Sequence, residues 1–177
     1  MDHQEILLVG FGPLAEKLAL LLKPMGYGLR IVQPSQQKKT IGQLCLEDEM
    51  LPQEPAMERG VVLFRNFTQE DLDPALKILR QAGLPRQPHK AMVTATNWHW
   101  KLGDLIKELD QEQIVMTALI RLKQLRDQMP MPAFTDIPAM KARMQAEVLL
   151  KGGEGATVEA IDRAYQELLK FAPDVQG

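Results

Sequence analysis

Ile6-Leu7-Leu8-Val9 is an unbroken apolar run closed by Gly10, and Val61-Val62-Leu63-Phe64 restarts the pattern further along the chain. A run of this length without polar alternation reads as a strand buried on both faces. After the first run the spacing turns helical: Leu14, Leu18, Leu21, Leu22 and Met25 make one stripe, and Gly26 and Gly28 supply the stop. A second strand is expected over 29–32 and a short helical turn over 40–46. After the second run Thr68 stands as an N-cap with Asp71 three residues on, a loose capping box. Leu72, Leu76, Ile78 and Leu79 then give an apolar face, and Gly83 ends the helix. Pro74 lies beyond the first turn and is expected to bend or delay that helix. A fourth strand is expected over 90–93, followed by a polar loop holding both tryptophans and a helix from near Trp100.

The two halves match in order as well as in kind. Ile6-Leu7-Leu8 and Val62-Leu63-Phe64 stand 56 residues apart (6 to 62), and the same offset carries Phe11 onto Phe67. Gly26 falls on Gly83 at an offset of 57, and Ile31-Val32 on Met92-Val93 at 61. Thr40-Ile41-Gly42-Gln43-Leu44 falls on Lys101-Leu102-Gly103-Asp104-Leu105, again at 61. Matching punctuation in matching order points to an internal repeat. Either half alone buries only part of its sheet, so both are expected to share one core. The fold class is therefore α/β: two tandem strand-helix-strand-helix repeats, about 5–46 and 61–109, forming one small sheet. Residues 47–60, with two prolines, five acids and no periodicity, read as a linker or mobile loop.

This α/β domain is expected to span 1–110, with a helical extension over 111–177. Ile114, Ala118, Leu119, Leu122 and Leu125 form a stripe ending near Met129, where Pro130 and Pro132 break the helix. Asp136 caps a helix to about 150, Gly152, Gly153 and Gly155 interrupt, and Thr157 caps a last helix to about 171. No strong breaker lies between Asp110 and Gln113, so the sequence leaves open whether the helix from Trp100 runs on. The last helix looks like the second helix of J-domain co-chaperones, but Ala172 stands where that family's His-Pro-Asp triplet has histidine.

Several function classes drop out. A formal charge of −2 leaves no whole-chain basic footprint for nucleic acid. Cys45 is alone, which rules out an intramolecular disulfide and CxxC sites. Asp2 and Glu5 precede the apolar N-terminal stretch and Glu16 and Lys17 interrupt it, unlike a signal peptide or membrane helix. A cytoplasmic chain without membrane contact is expected. His89 and His99 have no metal-site spacing, and no Gly-x-Ser-x-Gly elbow, Walker lysine loop or HExxH helix occurs. No catalytic residue, metal or cofactor is assigned.

Two stretches remain as candidate sites. Gly10-Phe11-Gly12-Pro13-Leu14-Ala15 fits the G-x-G-x-x-A turn of dinucleotide-binding folds, making Gly10 and Gly12 candidate cofactor contacts. The acid expected about 20 residues on is replaced by Val32-Gln33-Pro34-Ser35, and Pro13 stiffens the loop. Lys38 and Lys39 could answer a 2′-phosphate; the other reading is that the glycines serve only the turn. Thr94, Thr96, Asn97, Trp98, His99 and Trp100 lie at a carboxyl strand end, where open α/β sheets place ligands. Two indoles with hydroxyl, amide and imidazole groups could grip a flat ligand or a peptide. The structural reading is that Thr96 or Asn97 caps the next helix while Trp100 packs beneath it.

Asn66-Phe67, Ala82-Gly83-Leu84-Pro85 and Val93-Thr94-x-Thr96-Asn97-x-x-Trp100-x-Leu102-Gly103-x-Leu105 resemble a small bacterial family catalogued as a domain of unknown function. The resemblance covers about 60–112, with Ala95 where that family usually has proline, and implies no activity because none is established for it. A non-enzymatic interaction or regulatory module is expected, with self-association or a protein partner through the C-terminal helices. The alternative is a small-ligand or nucleotide-binding protein using the loops at the carboxyl strand ends.

Overall fold

The computed structural model describes residues 3–47, 51–84, 88–152 and 156–172. Linker residues 48–50, Pro85 of the glycine-proline motif, the glycine break at 153–155 and the stretch after Ala172 lie outside them. The chain divides into two compact units, Met1–Leu109 and Asp110–Gly177.

In the first unit β1 (Glu5–Val9), β2 (Gly28–Val32), β3 (Val61–Arg65) and β4 (His89–Met92) form one sheet in the order β2-β1-β3-β4. Helices α1 (Pro13–Leu22) and α2 (Ile41–Leu46) follow β1 and β2, and α3 (Gln69–Gln81) and α4 (Leu102–Gln128) follow β3 and β4. Strand-helix-strand-helix thus occurs twice, with both first strands central and both second strands at the edges. β1 runs parallel to β2 and β3 to β4, while the halves meet antiparallel through β1 and β3. Leu7 stands opposite Leu63, flanked by Ile6 opposite Phe64 and Leu8 opposite Val62. Residues 56 apart in sequence are therefore disposed evenly about the Leu7–Leu63 pair.

Hydrogen-bond parity follows from two contacts. Gly28 N–H donates to the Gln4 carbonyl at 2.8 Å, and Gly10 N–H to that of Val32 at 3.0 Å. Even-numbered groups of β1 thus serve β2, which leaves Leu7 and its odd-numbered neighbours for β3. Side chains alternate correspondingly. Ile6, Leu8, Val62 and Phe64 meet Leu18 and Leu22 of α1 and Leu79 of α3. Leu7, Val9, Val61 and Leu63 meet Ile41 and Leu44 of α2 and Leu102 and Leu105 of α4. Helices on both faces are why the strand runs carry no polar alternation.

The helices depart from expectation in places. α1 buries Ala15, Leu18 and Leu22, whereas Leu21 and Met25 are about half exposed. Leu21 lies about 100° round the helix from Leu22, and the 3₁₀ turn Lys23–Met25, opened by Pro24, carries Met25 off the buried face. α3 starts directly after Thr68 and runs through Pro74. Thr68 Oγ1 accepts the Asp71 N–H at 3.3 Å, and Asp71 Oδ2 accepts the Thr68 N–H at 2.9 Å. The Thr68 hydroxyl, donating to Asp71 Oδ2 at 2.7 Å, and after it the Thr68 N–H hold the Asp71 carboxyl below its ordinary range. The N–H that Pro74 lacks would have reached the carbonyl of Glu70, an exposed residue of the first turn, where a missing helix bond costs least. α4 begins at Leu102 rather than Trp100 and continues unbroken past Asp110. The described linker residues are tied down: Met57 N–H donates to the Gly10 carbonyl at 2.8 Å, and Glu54 takes both the N–H and the hydroxyl of Ser35.

In the second unit the later part of α4 packs with α5 (Ile137–Leu150) and α6 (Val158–Leu169) around Leu122, Leu125, Ala142, Ala146, Ile161 and Leu168. Asp136 and Thr157 cap α5 and α6 through the Ala139 and Ala160 N–H groups, each at 3.2 Å. Arg143 Nη1 donates to the Arg126 and Met129 carbonyls at 3.3 and 3.4 Å, serving the open C-terminus of α4. Among the described residues no helix is long and apolar enough to cross a membrane.

Leu22 and Leu79 are fully buried in one cluster, one from each half. Leu22→Ala and Leu79→Ala should each cost about 2–5 kcal/mol through lost burial and the cavity left. Urea unfolding followed by tryptophan fluorescence checks this, since both indoles belong to the second half. Leu22→Ala should lower the midpoint of that signal; an unmoved midpoint would contradict a shared core.

Candidate functional site

The turn after β1 depends on glycine: Gly10 has φ +67° and Gly12 φ +53°, both left-handed. At the matching turn after β3, Asn66 has φ +58°, the one non-glycine with positive φ among the described residues. Its Nδ2 donates to the His3 carbonyl at 3.1 Å. The concave side of the Gly10 turn is filled by the chain itself. A Cβ on Gly10 would lie 2.3 Å from the Met57 sulfur, and one on Gly12 2.8 Å from the Ala56 nitrogen. A pyrophosphate bound as in dinucleotide folds needs that backbone open. Beside the turn lies a cleft of about 480 Å³, lined mainly by apolar residues including Phe11, Leu14 and Met57.

The tryptophan loop is built on hydrogen bonds of its own. Asn97 Oδ1 accepts the Thr94 N–H at 2.8 Å, Thr94 Oγ1 accepts the Asn97 N–H at 3.3 Å, and Asn97 Nδ2 donates to the Met92 carbonyl at 2.8 Å. Gln33 and Gln36, 61 residues earlier, make the corresponding reciprocal pair at the start of the 3₁₀ turn Pro34–Lys38. Beyond these turns the halves meet again. Ile41 N–H donates to the Trp100 carbonyl at 3.0 Å and Leu102 N–H to the Lys39 carbonyl at 2.9 Å. That short bridge pairs Thr40 with Lys101 and leads straight into α2 and α4.

The bridge revises the structural reading of the loop. Thr94, not Thr96, holds Asn97, and neither Thr96 nor Asn97 caps α4, which begins five residues after Asn97. Trp100 is 39% exposed, because the bridge spends its carbonyl and turns its ring outward. Trp98 is the indole that packs inward. A Cβ on Gly42 would stand 2.5 Å from Trp98 Nε1, and one on Gly103 3.3 Å from the Gln37 carbonyl. Each half's 3₁₀ turn therefore rests on the glycine of the other half's helix. Thr94, Thr96 and His99 are exposed, and Asn97 and Trp98 are half-buried.

Beside Trp98 lies a charged cluster that no motif announced. Glu5 is buried at the head of β1, its two carboxylate oxygens taken by Arg30 Nε at 2.5 Å and Arg65 Nη1 at 3.1 Å. The Arg65 guanidinium lies 5.3 Å from the Trp98 ring centre, a cation–π contact. Arg65 Nη1 is also 3.5 Å from the Cys45 carbonyl. Burial pushes the Cys45 thiol above its ordinary value, with Arg65 opposing, so the thiol stays neutral and unreactive at neutral pH. The one available signal was the placement of Glu5, Arg30 and Arg65 within or at the ends of strands otherwise apolar. Among the described residues no three His, Cys, Asp or Glu side chains group to hold a metal ion. What the loop, the bridge and the cluster perform together is to lock two halves into one body.

Residues 60–116 match the model of a family described as a domain of unknown function (DUF3783), a span running from the start of β3 into α4. No curated protein and no solved structure matches the chain.

Gly42→Ala should drive its methyl into the Trp98 indole and destabilise the first unit by about 1–3 kcal/mol. Tryptophan emission should shift to the red as the indole is displaced, and a variant with unchanged stability and emission would contradict the contact.

Proposed function

We propose that the protein is a non-enzymatic interaction module whose helical unit binds another protein surface, in the first instance a second copy of the chain. The observation that supports this reading is α5. Its inner face, Ala139, Ala142 and Ala146, is buried in the unit's own core. Its outer face carries Ile137, Met144 and Val148, all exposed, with Lys141 the charged side chain among them. A surface helix ordinarily places charge outward, and a helix apolar on both sides is one that is covered on both sides. Phe134, 94% exposed, and Met131 extend the apolar surface just ahead of α5. The stretch 113–120 of α4 has no charged residue and leaves Ile114, Met116 and Ile120 half exposed.

Light scattering coupled to size-exclusion chromatography tests the reading on the full chain over roughly 1–500 μM, a range that brackets micromolar self-affinity. The apparent mass should rise with concentration. Met144→Lys combined with Val148→Lys should hold the chain monomeric with its circular dichroism unchanged. A wild-type chain that stays monomeric throughout overturns self-association through this face.

A further inference from the structure

Two backbone edges bound the sheet, and the chain treats them differently. In β4 the His89 N–H donates to Gly60 at 3.0 Å and the Val93 N–H to Phe64 at 2.8 Å, which turns the main-chain groups of Lys90 and Met92 outward. Both positions are guarded. Asn97 Nδ2 occupies the Met92 carbonyl, and exposed Lys90 sets a cation on the edge, a standard defence against a pairing neighbour.

In β2 the main-chain groups of Gly28 and Val32 serve β1, so Leu29 and Ile31 turn theirs outward. Leu29 stands where β4 has Lys90, and Ile31 where it has Met92, at the offset of 61. The guards are missing here. Gln36, matching Asn97, spends its side-chain oxygen on the Gln33 N–H at 2.8 Å. Among the described residues no side chain bonds to the main chain of Leu29 or Ile31. Along this edge runs a cleft of about 520 Å³ floored by residues 29–33, with Glu16 of α1, Leu44 and Leu51 on its walls. Its charges are unevenly matched: Arg30 is held by Glu5 and Glu47 by Lys39, whereas Glu16 is exposed and has no ion pair among the described residues.

We propose that the free edge of β2 is a strand-addition site for an extended peptide segment of a partner protein. The segment is apolar at alternate positions and carries a lysine or arginine that reaches Glu16. Its main chain supplies the hydrogen bonds that Leu29 and Ile31 hold open, and its alternate side chains fill the cleft. A second copy is the poorer occupant, because the antiparallel register centred on Arg30 would set two guanidiniums opposite one another. The site is separate from the α5 face and does not depend on it.

Fluorescence anisotropy with the full chain tests the proposal. The probe is a short labelled peptide alternating valine and threonine with a lysine at each end. Its twins carry glutamate in place of lysine, or N-methyl groups throughout. The basic peptide should bind, the N-methylated twin should lose roughly tenfold or more for want of strand bonds, and the acidic twin should bind more weakly at low salt. Leu29→Lys, which recreates the guard of β4, should weaken binding to a similar degree, and Met144→Lys with Val148→Lys should leave it unchanged. Should Leu29→Lys lose its fold, Glu16→Lys carries the test by reversing the preference between the charged twins. Absence of binding, equal binding of the N-methylated twin, or a folded Leu29→Lys variant with full affinity each overturns the proposal. Self-association of the chain that Leu29→Lys removes assigns the edge to a second copy and overturns it equally.

Discussion

The antiparallel pairing of β1 with β3 is the interaction on which the first unit depends. Without it each half would be two parallel strands with a helix at hand, too little sheet to bury its own apolar surface. With it, eight apolar side chains from the two central strands are covered on both faces, and each of the two core clusters draws on both halves. The register is policed at its end by Glu5, opposite Arg65. A slip of one residue would turn every side chain of β1 to the wrong face and take Glu5 from its arginines. A buried carboxylate between guanidiniums is weak testimony to stability, since desolvation offsets much of the attraction, but a mispaired one is costly. Its contribution is to specify one alignment.

The second seam is set by glycine. Gly42 and Gly103 open α2 and α4 at the places where Trp98 and Gln37 of the opposite halves arrive. A side chain at either glycine would push the 3₁₀ turn off the helix and break the short bridge behind it. The loop that carries most of the chain's polar-aromatic character is thus committed to joining the halves, and its Thr94–Asn97 bonds keep that turn in shape.

Much of the first unit was legible because its signals are local. Continuous apolar runs, the Thr68–Asp71 box and the spaced glycines each act within a few residues, and their offsets matched between halves. What stayed hidden is non-local. Nothing near Trp98 says that its partner is Gly42, so the sequence points to Trp100 as the indole packed beneath the helix, and the fold puts Trp98 inward instead. Glu5 reads as a charge ahead of a strand until the fold brings Arg30 and Arg65 to it from 25 and 60 residues away. By position alone Pro74 is expected to bend or delay α3, whereas the exposure of the first turn decides its cost. The G-x-G turn shows the same limit: its glycines are needed for their backbone angles, and only the folded linker reveals that Met57 occupies their hollow.

The helical unit and the β2 edge offer surfaces of different kinds, one apolar and broad, the other a line of main-chain groups. The β2 edge presupposes that the two halves of the first unit make a single rigid sheet. Amide hydrogen exchange resolved by residue measures that most directly. The Leu7 and Leu63 amides face each other across the central pairing and should exchange through the same global opening, with equal and maximal protection, while the outward Leu29 amide exchanges fast. Protection of Leu63 well above that of Leu7, as in two halves that open separately, would contradict the account.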